Sequence, residues 1–231
     1  MSKRAILHVG VHKTGTTSIQ AFAERHRSIL RERGIDFYTG VHLPNNHVEL
    51  HVAAMRPERL SPFKMDNELV VDESYREAVR DKLHAYVNSS DAERIVFSSE
   101  GLSYLRYADE MERLKSLIPT SQIEILFYVR DREAFLRSYR REMRRHRLPE
   151  TIDPDSYAYT ADNTWLANFA ERIEAFSRSF GAENVAVIDY DRELGAHGNI
   201  IPSFLRALKV EDAFDPASWR DLFLNTSDSP N

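Results

Sequence analysis

The residues from Leu7 to Ser18, LHVGVHKTGTTS, carry an apolar run into a loop bounded by Gly10 and Gly15 and out into an amphipathic helix. This order is how a chain builds a cradle for a phosphate or a similar anion. Glycines let the backbone approach the anion, while loop amides and the helix start turn partial positive charge toward it. The loop nearly matches the nucleoside-triphosphate pattern Gly-x-x-x-x-Gly-Lys-Ser/Thr. The glycine spacing is right, but Thr16 stands at the lysine position and the only lysine of the loop, Lys13, comes three residues earlier. A lysine moved back into the loop suits an anion other than a triphosphate. The alternative is a plain strand-to-helix link in which Lys13 is an ordinary solvated side chain.

The 231 residues suit one domain, residues 1–231, and 42% hydrophobic with 29% charged residues marks a globular chain with a full core. A formal net charge of -5 argues against nucleic-acid binding, which requires a basic footprint. With no cysteine, disulfides, thiolate metal sites and cysteine nucleophiles are excluded. The opening apolar run breaks at His8, too short for a signal-peptide core or a membrane span, so a cytoplasmic location is expected. Nothing in the sequence sets an oligomeric state.

Apolar residues Ile19, Phe22, Ala23 and Leu30 recur at helical spacing, with His26 among them, and Gly34 ends that helix before a short strand at Ile35 to Tyr38. Thr39 to about Asp66 shows no clear period and reads as a long loop with at most one helical turn. A helix is expected from Glu73 to Val87, a strand at Arg94 to Phe97, and a helix around Asp109 to Ile118. The nearly continuous apolar stretch Ile123 to Val129 suits a central strand covered on both faces. A basic helix runs from Arg132 to Arg147, another from Trp165 to Phe180, and a strand from Val185 to Ile188. Strands alternating with helices imply an α/β fold of three layers, a mostly parallel sheet flanked by helices. In such sheets ligands sit at the carboxyl ends of the strands. Lys13, Glu100, Arg130 and Tyr190 all follow strands, so one crevice can gather them.

Lys13-Thr14-Gly15-Thr16-Thr17 resembles the Lys-x-Gly-Thr-Thr loop of sulfotransferases that use 3′-phosphoadenosine 5′-phosphosulfate (PAPS). The resemblance implies a P-loop NTPase-like sulfotransferase fold and PAPS as sulfate donor. In it Lys13 neutralises charge where the sulfuryl group leaves the 5′-phosphate, and Thr14 to Thr17 hold that phosphate. Arg130 and Ser138, eight positions apart, match the family's grip on the 3′-phosphate, in keeping with paired guanidinium bonds to phosphate oxygens. The segment Val187 to Leu194 resembles the family strand ending in Tyr-Glu-Asp-Leu, which implies that Tyr190 lies beside the adenine. As a residue it is equally an ordinary tyrosine at a strand end. Two departures stand out: no proline follows Arg130, and the Arg-Lys-Gly loop that completes the 3′-phosphate site in cytosolic members is missing.

Transfer to a hydroxyl needs a base, and the candidates are Glu100, in Ser98-Ser99-Glu100-Gly101, and His47 in the long loop. Glu100 would serve equally in the first turn of a helix capped by Ser99, and loop histidines are commonly surface residues. His42, His47, His51 and Glu49 raise zinc, but three convergent donors are not implied, and no metal is expected. Arg137, Arg140, Arg141, Arg144, Arg145 and Arg147 suit either an anionic ligand or a solvated face paired with Glu133 and Glu142. The reading is a sulfotransferase acting on a small-molecule or glycan acceptor through a hydroxyl or amine. Its rivals are an ATP/Mg small-molecule kinase and a catalytically silent nucleotide-binding or partner-binding module.

Overall fold

A nearly continuous apolar run on β1 (Arg4–Gly10), with both faces shielded, sets the architecture: every residue from Ala5 to Gly10 is buried. The computed structural model describes residues 3–145 and 151–222. After β1 the chain continues through α1 (Thr16–Arg25), α2 (Arg27–Glu32), β2 (Ile35–Phe37), α3 (Val48–Ala54), α4 (Pro62–Asp66), α5 (Glu73–Ser89), β3 (Arg94–Ser98), α6 (Ala108–Leu117), β4 (Gln122–Val129), α7 (Arg132–Arg145), α8 (Phe169–Phe180), β5 (Val185–Asp189), α9 (Tyr190–His197) and α10 (Ile201–Ala207).

The five strands form one sheet in the order β2-β3-β1-β4-β5, and every pairing is parallel. Register places Leu7 of β1 opposite Phe97 of β3 and Ile125 of β4. Because side chains alternate across a strand, Ala5, Leu7, Val9, Phe97 and Phe127 project to one face. There they pack with Val79, Leu83 and Phe176 from α5 and α8. Ile6, Val96 and Tyr128 project to the other face, against Ile19 and Phe22 of α1 and Phe204 of α10. The sheet is therefore covered on both sides, as parallel sheets require. The chain leaves β1 toward β2 on one side and later crosses to β4 on the other, so the strand order reverses around β1. That reversal opens a crevice at the carboxyl ends of β1 and β4.

The structure alters the expected elements in several places: it adds α9 and α10, and α8 begins at Phe169 rather than Trp165. The first helix breaks at His26, whose φ of −110° is not helical, and resumes as the short α2. The stretch from Thr39 to Asp66 is not loop throughout, since it holds α3, every residue of which is buried, and α4, which starts from a Ser61 cap accepting the Lys64 amide. Buried Glu110 anchors this stretch. Its carboxylate takes two 2.7 Å bonds from the Arg59 guanidinium and accepts the Arg56 and Arg106 amides. A run held by tertiary ion pairing rather than by its own periodicity has no helical signature to read. The basic helix is observed to Arg145, while Arg147 lies outside the described residues. Among the described residues no helix is long and apolar enough to cross a membrane.

A polar seam runs under the loop that follows β1. Ser98 Oγ lies 2.8 Å from His8 Nδ1 and accepts from Gln20 Nε2 at 3.1 Å, and the Ser98 amide donates to His47 Nδ1 at 2.8 Å. Burial holds both imidazoles neutral, with pKa values lowered to about 3. An unfolded histidine takes a proton near pH 6.5, so below that pH the unfolded chain binds protons that the native chain does not. Stability is thus lost as pH falls from about 6.5 toward 3. Between pH 6.5 and 5 each of these histidines is expected to cost about 2 kcal/mol, at roughly 1.4 kcal/mol per pH unit. Urea unfolding followed by circular dichroism at pH 7 and pH 5 checks this, and equal stabilities would contradict the burial of charged-state-averse imidazoles.

Candidate active site

The loop from Gly10 to Thr16 turns twice through the left-handed region, at Lys13 (φ 68°) and Gly15 (φ 76°). For lysine that conformation is strained by about 1–2 kcal/mol, so the surroundings must hold it there. They do so through Arg130, which leaves the end of β4 and donates from Nη1 to the Lys13 carbonyl at 2.9 Å. Thr14 is buried and spends its hydroxyl on the Val11 carbonyl at 2.7 Å. Helix α1 starts at Gly15 with no side-chain cap. Thr16 Oγ1 is buried with no hydrogen-bond partner, and Thr17 is exposed.

Both loop glycines are required by space as well as by angle. A Cβ on Gly10 would stand 2.5 Å from Thr16 Oγ1, and one on Gly15 would stand 2.8 Å from Ile200 Cγ2 and 3.3 Å from Tyr190 Cε2. Tyr190, the first residue of α9, therefore abuts the loop. Its ring also lies beneath the Arg130 guanidinium, 5.2 Å away, while Asp191 approaches Arg130 Nη2 at 3.7 Å. Arg130 Nε is buried without a partner. Ser138 is half-buried on α7, four residues before Glu142, so the two share one helix face.

Glu142 shows where that face is directed. Its Oε2 lies 3.0 Å from Lys13 Nζ, a charge contact without hydrogen-bond angles. Glu100 opens the turn that follows β3, near the same pair. Burial first, and the Glu142 carboxylate second, push the Glu100 pKa up to about 7 against the opposing pull of Lys13. The Glu142 carboxylate also bears on His12, whose Nε2 pairs with the Tyr104 hydroxyl at 2.9 Å and whose pKa burial lowers to about 4.

These groups form the floor of a cavity of about 230 Å³. Val48 and His51 of α3, Phe63 of α4, Met143 of α7 and Tyr157 are among its walls, and Asp66 stands exposed among the lining residues. The structure thus brings Lys13, Thr16, Arg130 and Tyr190 together around one loop, with Glu100 beside Lys13. It does not bring His47 to the cavity. His47 is buried among Phe37, Tyr38 and Phe97, and its Nδ1 is occupied by the Ser98 amide, which leaves the proton of the neutral ring on Nε2. Nor do His42, His47, His51 and Glu49 converge, and among the described residues no group of three or more His, Asp or Glu could hold a metal ion.

No protein-family model and no curated protein matches the sequence. Solved structures do match. The chain superposes on a sulfotransferase from Alicyclobacillus acidocaldarius with a TM-score of 0.60 at 16% identity, covering 99% of this chain and 88% of that one. The chain has the sulfotransferase fold. A sulfotransferase domain from the curacin biosynthetic pathway is also similar, with a TM-score of 0.51 at 14% identity over 98% of this chain and 79% of that one. At such identities the likeness speaks for the fold, and the chemistry rests on the residues of the crevice.

Glu142 and His12 belong to the site without a sequence signal that places them there. Glu142 reads in sequence as an i±3 or i±4 partner for neighbouring arginines, yet it reaches across to Lys13. His12 lies inside the loop and had no motif to single it out. The loop conformation itself predicts a stability effect. Replacing Gly15 with alanine adds a left-handed penalty of about 1–2 kcal/mol and a clash with Ile200 of about 1–3 kcal/mol. G15A is therefore expected to lose about 2–5 kcal/mol in urea unfolding, and an unaltered midpoint would contradict this loop geometry.

Proposed function

We propose that the chain is a PAPS-dependent sulfotransferase, a single domain over residues 1–231, which moves a sulfuryl group to a hydroxyl or amine of a small acceptor. The observation that carries this reading is the bond from Arg130 to the Lys13 carbonyl, because it welds residues 117 positions apart into one anion-binding surface. Thr16 Oγ1 and Arg130 Nε, both buried and without partners, supply the unsatisfied donors that a bound anion would meet. The residues present therefore fit a bisphosphorylated nucleotide.

Lys13 and the loop of Thr14, Gly15, Thr16 and Thr17 would hold the 5′ end. Arg130 and Ser138 would hold the 3′-phosphate, and the Tyr190 ring would lie against the base. The donor supplies an activated sulfuryl group on a phosphate leaving group. Lys13 stabilises the charge that develops on that leaving oxygen. Glu100 takes the acceptor's proton, since its carboxylate lies in the crevice and its raised pKa sits near neutrality, where a base is most effective. His47 carries less of the argument than Glu100, because its one acceptor nitrogen is already bonded to Ser98. No metal has a role in this scheme.

The test is a thermal-shift titration with 3′-phosphoadenosine 5′-phosphate (PAP) beside ATP with magnesium, because a ligand that binds the native state raises Tm. Stabilisation by PAP is expected. Stabilisation by ATP with magnesium alone would transfer the chain to the kinase reading. A second expectation concerns the base. Glu100 works only when ionised, so turnover should rise with pH through about 7. E100Q should lose that limb and about 10²- to 10⁴-fold in kcat while keeping its PAP-induced shift. An E100Q protein with unaltered turnover would remove Glu100 from the mechanism, and a chain with PAP binding but no transferase activity would be a silent module. E142Q should move the limb to lower pH, since Glu142 is the second cause of the raised pKa.

A further inference from the structure

The cavity beside Lys13 has a lining whose charge and polarity are lopsided. It contains three carboxylates, Asp66, Glu100 and Glu142, and no lysine or arginine. Its two histidines do not offset them, because burial keeps His12 and His51 neutral at physiological pH. Most of the remaining wall is apolar or aromatic, including Leu43, Val48, Pro62, Phe63 and Met143. The charged groups cluster at two places, and Asn46 Oδ1 and Ser99 Oγ are buried in the lining without hydrogen-bond partners. Glu100 and Glu142 lie within, by Lys13. Asp66 is exposed at the end of α4, close enough to Tyr157 for its charge to bear on that hydroxyl. His51, 3% exposed, contributes a buried Nδ1 with no hydrogen-bond partner.

Three classes of acceptor are disfavoured by this wall. A uronate, phosphate or sulfate ester would meet carboxylates with no cation but Lys13, which the donor already requires. A sugar would have to lay part of its hydroxyl-bearing ring against Leu43, Val48, Pro62 and Phe63, which bond none of it, and could be met only at Asn46, Ser99 and the carboxylates. A large ligand could seat only its reacting end here, since about 230 Å³ lies below the usual range of about 300–1,000 Å³ for drug-sized sites.

We propose that the acceptor is a small cationic alcohol: one ring or branched apolar unit with its reacting hydroxyl at the Glu100 end and an ammonium group at the Asp66 end. The inference rests on the sulfotransferase reading for the reaction but not for the binding. In the reaction the hydroxyl oxygen forms its bond to sulfur and yields its proton to Glu100. The bond from sulfur to the phosphate oxygen breaks, and its electron pair leaves on the phosphate beside Lys13. The ammonium stays protonated throughout, and its charge selects rather than reacts.

The test uses three matched probes, 4-(aminomethyl)benzyl alcohol, 4-methylbenzyl alcohol and 4-(hydroxymethyl)benzoate, titrated calorimetrically into the full-length protein with and without PAP. The expected order is amine, neutral, carboxylate, with the amine at least tenfold tighter than the carboxylate, about 1.4 kcal/mol. D66N should cut the amine's advantage over the neutral probe several-fold with Tm unchanged, because the Asp66 side chain is exposed and makes no hydrogen bond or ion pair among the described residues. Equal or tighter binding of the carboxylate would overturn the proposal. So would the absence of binding by all three probes, or an amine preference that survives D66N intact. Cation preference without any PAP-induced shift would leave the pocket assignment standing and remove the sulfotransferase reading. A PAP-induced shift with carboxylate preference would do the reverse.

Discussion

The bond from Arg130 Nη1 to the Lys13 carbonyl is the constraint on which the rest of the crevice depends. A lysine in the left-handed region does not hold itself there, and a glycine-flanked loop has many conformations to choose from. Arg130 is fixed at its own base by leaving β4, the strand next to β1, and at its tip by Tyr190 and Asp191 from the start of α9. One guanidinium therefore registers the ends of β1, β4 and β5 against one another. Tyr190 closes the circuit, since its ring abuts the position where Gly15 has no side chain. The loop is shaped by neighbours on the sheet more than by its own sequence.

Charge is handled differently on the two sides of that loop. Beneath it, His8 and His47 are taken out of titration by burial and bonded to Ser98, which makes the floor rigid and neutral. Beside it, Lys13 and Glu142 lie together near Glu100, whose pKa Glu142 raises and Lys13 lowers. A neutral floor under a charged rim lets the electrostatics of the rim act through the crevice without competing buried charge.

How much of this was legible in the sequence follows from the range of the interactions involved. The parallel sheet, most of its flanking helices and the loop were legible because they arise from local signals: the apolar run that opens at Ala5, the continuous run of Ile123 to Val129, and the spacing of Gly10 and Gly15. Lys13, Glu100, Arg130 and Tyr190 were legible as a group because each follows a strand. Residues 39 to 66 were not, because α3 and α4 are held by the Arg59 to Glu110 ion pair and by burial, contacts that span 51 positions and leave no period. The contact from Glu142 to Lys13 was hidden for the same reason, and helical spacing pointed instead to its arginine neighbours. The cavity walls come from the unmatched stretches, so the donor side of the crevice could be argued from motifs and the acceptor side required the fold.

Glu142 gives the crevice a coupling that neither motif nor fold class suggests. A single ammonium, Lys13, lies against this carboxylate, and an anion on the loop must compete for the same charge. Lys13 also lowers the Glu100 pKa while Glu142 raises it. Any displacement of Lys13 toward the loop would weaken the pull that lowers the Glu100 pKa, so charge on the loop side bears on a carboxylate that lines the cavity.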